Sequence, residues 1–225
     1  VKSVVYGGLD GIITTFAVVA GASGGGLGID VIIILGFSNI FADGLSMGMG
    51  DALSSKAERD YILAERQREA WEMKTYPEGE KQEMVQIYKE KGFTDEDAKT
   101  VIDIMAKYNE FFVDLMMVQE LNLQVPDPDD NPWKDGFVTF ISFILFGLIP
   151  LIGYVIFSSA GMNDFQLFIV AIVLTAITLF FLGAVKSHVT NQKWYWSGLE
   201  ILVLGALTAA TAFFIGWGVE ELIVS

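Results

Sequence analysis

The sequence predicts an all-α membrane protein: five transmembrane helices, with an acidic helical domain inserted between the second and the third. Three observations predict it. The 225 residues are 52% apolar with a mean hydropathy of +0.47, and the apolar residues fall in five long runs. About 20 residues cross the hydrocarbon of a bilayer, and so many spans in one short chain need lipid to cover them. The charges are distributed in the opposite sense, with residues 55–135 holding 20 of the 28 acids and 11 of the 14 bases.

The spans are expected near residues 3–21, 31–55, 136–158, 165–186 and 195–218. The domains follow as 1–55 (spans one and two), 56–132 (the acidic insert) and 133–225 (spans three to five). The bases outside the insert are Lys2, Lys186 and Lys193. Five spans place the N-terminus, the insert and the loop at 187–194 on one side, so every base lies there. An excess of Lys and Arg marks the cytosolic side; the N-terminus and the insert are therefore expected in the cytosol.

The first run, YGGLDGIITTFAVVAGASGGG, carries Asp10 among Gly7, Gly8 and Gly11. It is too long and too rich in Gly and Thr for a cleavable signal peptide. An acid inside a span is costly and points to function. The second run continues without a proline into a charged stretch, so one helix is expected from the membrane to about Thr75. Asn39, Asp43 and Met47 lie at i, i+4 and i+8 and share a face, which Asp51 extends. Gly44 and Gly48, like Gly7 and Gly11, form small-residue stripes suited to close helix packing and to a homodimer.

In the insert, Pro77 suits a first helical turn, and Gly92 ends that helix. Thr94 and Asp97 form a variant capping box for the next, which is expected to reach about Tyr108. NEFFVDLMMVQELNL forms the last, before the prolines of VPDPDDNP return the chain to the membrane. Pro150 is expected to kink the third span, and Trp194, Tyr195 and Trp196 to form an interfacial belt. Glu200 reads as a helix-end acid and His188 as a loop histidine.

Glu65, Glu69 and Glu72 share one face, as do Glu80 and Glu83, while Met116 and Met117 stand beside Glu120. Like charges at this spacing oppose an isolated helix by a few tenths of a kcal/mol per pair, and a divalent ion reverses that. Glutamate stripes are usually solvated, salt-laced faces, and Arg66, Arg68 and Lys81 are near enough to lace this one. Hard carboxylates with soft thioethers favour a first-row transition ion over Ca²⁺ or Mg²⁺. Fe²⁺ fits first, Mn²⁺ next, with Zn²⁺ or Co²⁺ further behind. Cysteine is absent and histidine occurs once, which excludes a disulfide framework, a zinc ribbon and a His-based centre. No phosphate loop or nucleophile triad is present, so neither an enzyme nor an organic cofactor is expected. The formal charge of −14 speaks against nucleic acid.

Three stretches, DGIITTFAVVAGASG, SMGMGDALSSKAERDY and EFFVDLMMVQELNLQVPDP, occur in order and resemble the vacuolar iron transporter family of plants, fungi and apicomplexans. The resemblance covers essentially the whole chain. It implies a homodimer of five-span protomers, a cytosolic metal-binding domain, and proton-coupled movement of Fe²⁺ from the cytosol into an acidic store. The membrane would be that of a vacuole or another acidic organelle, or the plasma membrane in a prokaryote. Carried over by motif, the metal ligands are Glu69, Glu72, Glu80, Glu83, Met116, Met117 and Glu120, with Glu65 a weaker candidate. The translocation path takes Asp10 and Met47. Where plant members have a glutamate in the second span this chain has Asn39, and Asp43, one turn nearer the cytosol, is read as its replacement. Two other functions stand beside Fe²⁺/H⁺ exchange: an Mn²⁺-preferring transporter of the same mechanism, and a membrane-tethered metal sensor without transport.

Overall fold

The computed structural model describes residues 2–158, 161–190 and 192–224, apart from the side chains of residues 2, 188–190 and 224. Among them the chain is helical and without strands: α1 (Lys2–Gly24), α2 (Ile29–Thr75), α3 (Pro77–Glu90), α4 (Asp95–Met105), α5 (Asn109–Gln119), α6 (Pro132–Phe157), α7 (Asp164–Thr190) and α8 (Trp194–Val224). Five of these, α1, α2, α6, α7 and α8, are long and apolar enough to cross a membrane. The chain divides into two compact units, one of Val1–Ala52 with Pro132–Ser225 and the other of Leu53–Asn131.

In the first unit α1 is central, packed on α6, α7 and α8. The small residues permit this. A Cβ on Gly11 would stand 2.3 Å from the backbone oxygen of Phe143, and one on Gly136 would stand 2.3 Å from that of Gly48. The Gly7/Gly11 and Gly44/Gly48 stripes are thus filled within the chain, against α6, rather than left for a second copy. One core gathers Phe16, Val19, Ile32, Ile40, Leu151, Tyr154 and Leu167, and another gathers Leu9, Ile12, Leu179 and Ile201. Large apolar side chains point outward along α2, α6, α7 and α8, among them Ile34, Phe41 and Leu45 of α2 and Phe181 of α7, while α1 exposes them only at its start. That pattern fits helices solvated by lipid. α6 runs through Pro150 as one helix. α7 extends past Lys186, so the backbone of His188 belongs to its last turn rather than to a loop; the His188 side chain lies outside the described residues. Glu200 pairs with Lys186 at 3.3 Å.

In the second unit the charged half of α2 joins α3, α4 and α5 around Met73, Met84, Ile102, Phe112, Val113 and Met116. Pro77 occupies the first turn of α3, and Gly92, at φ +101°, turns the chain after it, a conformation that only glycine adopts cheaply. Thr94 caps α4: its Oγ1 accepts from the Asp97 N–H at 3.1 Å and donates to the Asp97 carboxylate at 2.7 Å. α4 stops at Met105, a turn short of Tyr108. α5 ends at Gln119, with Glu120 as its C-cap and Asn122 at φ +54° redirecting the chain.

Candidate functional site

Three helices of the second unit converge their carboxylates. Glu69 and Glu72 come from α2, Glu80 and Glu83 from the first two turns of α3, and Glu120 from the end of α5. Glu69, Glu72 and Glu80 form one trio and Glu80, Glu83 and Glu120 a second, with one carboxylate oxygen of each residue within 4.8 Å of the others in its trio. Glu80 belongs to both. The α2 stripe thus meets the α3 pair through tertiary packing, which helical periodicity alone does not disclose. Glu65, on the same face of α2, belongs to neither trio.

Glu69 and Glu80 are buried, Glu72 and Glu120 half-buried and Glu83 exposed, so the cluster runs from the interior of the unit to its surface. Glu69 is fully buried, and neither of its carboxylate oxygens has a hydrogen-bond partner; one oxygen of Glu120 is likewise buried and unpartnered. A buried carboxylate without hydrogen bonds is expensive and lowers its cost by taking up a proton or a cation. Burial, then the charges of Glu120, Glu72 and Glu80, push the Glu69 carboxyl up to about 7. Burial, then Glu72 and Glu83, raise Glu80; burial, then Glu83, Glu80 and Glu72, raise Glu120. Desolvation and like charge act in the same sense at each position.

The nearby bases are divided. Arg66 donates to Asp114 at 2.6 Å and Glu110 at 2.8 Å, and Lys81 bonds Glu78 at 2.9 Å, so both serve the exterior of the unit. Arg68 alone among the described ion pairs reaches the cluster. Met116 and Met117 are fully buried, and Met116 is part of the apolar core with Phe112 and Met84.

In the first unit Asn39, Asp43 and Met47 lie half-buried along one stripe of α2. The Asn39 side-chain amide donates to the Asp43 carboxylate at 2.5 Å, while its own oxygen is buried without a partner. Asp10, exposed on α1, stands within range of the Asp43 charge. The helical spacing in the sequence captures the stripe; the amide–carboxylate bond, which ties Asn39 to the acid one turn on, is a finding of the structure. Asp51, at the end of the stripe, accepts a hydrogen bond from Thr139 of α6 at 2.6 Å. That contact spans 88 residues and has no signature in either local sequence.

A helical protein with five helices fit to cross a membrane, a stripe of polar groups inside one of them and a partly buried carboxylate cluster in a separate helical unit has the parts of a cation transporter. The chain belongs to the VIT family, whose model matches residues 1–217. It is 42% identical to the vacuolar iron transporter of Toxoplasma gondii, over 96% of this chain and 73% of that protein. It is 41% identical to the vacuolar iron transporter of Plasmodium falciparum, over 96% of this chain and 80% of the relative, and 31% identical to vacuolar iron transporter 1 of Arabidopsis thaliana, over 95% and 83%. These are transporters and not enzymes.

Proposed function

We propose that this protein carries Fe²⁺ across a membrane, from the cytosol into an acidic compartment such as a vacuole, in exchange for protons. The observation that carries the reading is the pair of carboxylate trios joined at Glu80, with Glu69 buried and without a hydrogen-bond partner. Such a site lowers its free energy by taking a divalent cation or a proton, and relatives at 41–42% identity are named for iron transport. The ligands are Glu69, Glu72, Glu80, Glu83 and Glu120, with the sulfurs of Met116 and Met117 behind them. This unit captures the ion on the cytosolic side, where the bases of the chain concentrate.

Translocation falls to Asp10, Asn39, Asp43 and Met47. Carboxylates inside a span take either a metal ion or a proton, so one set of oxygens serves both cargoes in turn. Acidity on the receiving side protonates them and releases the metal. The protein works as a homodimer, as its family resemblance implies. A tether without transport needs no acids in its spans, which argues against the sensor. One observation favours a second metal: with Met116 committed to the apolar core, an oxygen-rich site serves Mn²⁺ about as well as Fe²⁺.

The test is metal uptake into proteoliposomes with an acidic interior, comparing Fe²⁺, Mn²⁺ and Zn²⁺. The expected order is Fe²⁺ at or above Mn²⁺, and Zn²⁺ last. Uptake of none of them over protein-free vesicles refutes transport.

A further inference from the structure

Arg68 stands against the carboxylates of its own helix. Its guanidinium lies 3.0 Å from Glu65, 3.7 Å from Glu69 and 3.6 Å from Glu72. The last two are members of the first trio; Glu65 is not. The close contact is therefore to the residue outside the trio, and the two contacts within it are longer than hydrogen bonds. The Arg68 side chain is 53% exposed, so it is free to leave, whereas that of Glu69 is fully buried and stays. A divalent ion seated among Glu69, Glu72 and Glu80 would place its charge within a few ångströms of the guanidinium, and like charges at that range repel strongly.

We propose that Arg68 is the displaceable counter-cation of this trio: it offsets part of the charge of Glu69 and Glu72 when no metal is bound, and an incoming divalent ion displaces it toward Glu65. The proposal rests on the reading of the trio as a divalent-ion site and adds the means of selection. A monovalent ion brings no more charge than the guanidinium it would replace, so it gains nothing on the exchange. A divalent ion gains on the exchange. Arg68 thereby sets specificity for divalent over monovalent cations, and returns to the trio when the metal leaves. It also gives Glu65 a role as the anchor of Arg68 rather than a ligand.

The experiment measures Mn²⁺ affinity of the full chain in nanodiscs, from the paramagnetic resonance of free Mn²⁺, with and without added potassium. Exposed ion pairs are individually weak, so Arg68→Gln is expected to tighten Mn²⁺ binding roughly threefold to tenfold without potassium. Potassium is expected to erode that gain while leaving the wild type little changed. Arg68→Lys keeps the charge and stays near wild type. Glu65→Gln weakens binding in the wild type but has no effect in Arg68→Gln, because it acts only through the arginine. Unchanged or weaker binding by Arg68→Gln overturns the proposal, as does equal weakening by Glu65→Gln in both backgrounds. The carboxylate site has its own control: if Glu69→Gln/Glu120→Gln binds Mn²⁺ as the wild type does, the metal reading fails, whatever Arg68 does.

Discussion

Replacing Glu69 by glutamine should stabilise the metal-free protein at alkaline pH and not at acidic pH. The Glu69 carboxyl lies at about 7 in the folded chain against an ordinary value of 4.5. Because the folded value is the higher, the associated stability is complete below about pH 4.5 and is lost as pH rises through about 7. At roughly 1.4 kcal/mol per pKa unit, the interval amounts to about 3 kcal/mol at pH 8. Glu80 and Glu120, also raised, add to the loss in the same direction. Glutamine keeps the shape and removes the charge, but its amide protons need partners in a site built of acceptors. That offsets about 1 kcal/mol, leaving a net gain of about 2 kcal/mol at pH 8 and none at pH 5. For a unit of this size the gain is a rise of roughly 10 °C in unfolding midpoint. Thermal unfolding followed by helical circular dichroism, in nanodiscs with a chelator, measures it. Mn²⁺ should stabilise the wild type at pH 8 and the variant far less. A wild type that unfolds at the same temperature at pH 5 and pH 8, or a variant no more stable than it at pH 8, refutes the reasoning.

Other outcomes follow from the same structure. The triple variant Glu69→Ala/Glu72→Ala/Glu120→Ala should lose high-affinity Mn²⁺ binding by calorimetry, since each trio loses at least one carboxylate; equal binding by wild type and variant refutes the site. Asp10→Asn and Asp43→Asn should abolish transport while leaving Mn²⁺ binding by the glutamates intact, and normal transport by Asp43→Asn would reduce Asp43 to a partner of Asn39. Gly11→Ala forces a Cβ onto the Phe143 backbone oxygen and should cost about 1–3 kcal/mol, read as a lower unfolding midpoint in detergent. Phe112→Ala empties a fully buried position in the second unit and should cost about 3–5 kcal/mol there, read by hydrogen exchange in α3 and α5.

The helices were legible because their signals are local. Hydropathy runs mark spans, Pro77 and Thr94 mark helix starts, and Gly92 marks a stop. The ends that moved are those where local pattern competes with packing: α5 closes at Gln119 because Glu120 becomes its C-cap, and α7 continues through His188. Helical spacing likewise placed Glu69 beside Glu72 and Asn39 beside Asp43. It could not show that Glu80 joins the two trios, that Arg68 rather than Arg66 or Lys81 faces them, or that Met116 packs in the core. Each of those depends on how α2, α3 and α5 rotate against one another, and rotation is decided by burial of residues such as Met84 and Phe112. The glycine stripes were visible too, but their partner was not: α6 fills them with its backbone at Gly11 and with its phenylalanine side chains at Gly44.

The central claim is that one set of membrane carboxylates exchanges metal for protons. Simultaneous recording of Fe²⁺ entry and internal pH in proteoliposomes, with the interior held more acidic than the outside, tests it most directly. Entry of Fe²⁺ should raise the internal pH, both fluxes should stop when the gradient is collapsed, and both should be lost together in Asp10→Asn and Asp43→Asn. Fe²⁺ entry that proceeds at the same rate without a gradient, and without any proton movement, would contradict it.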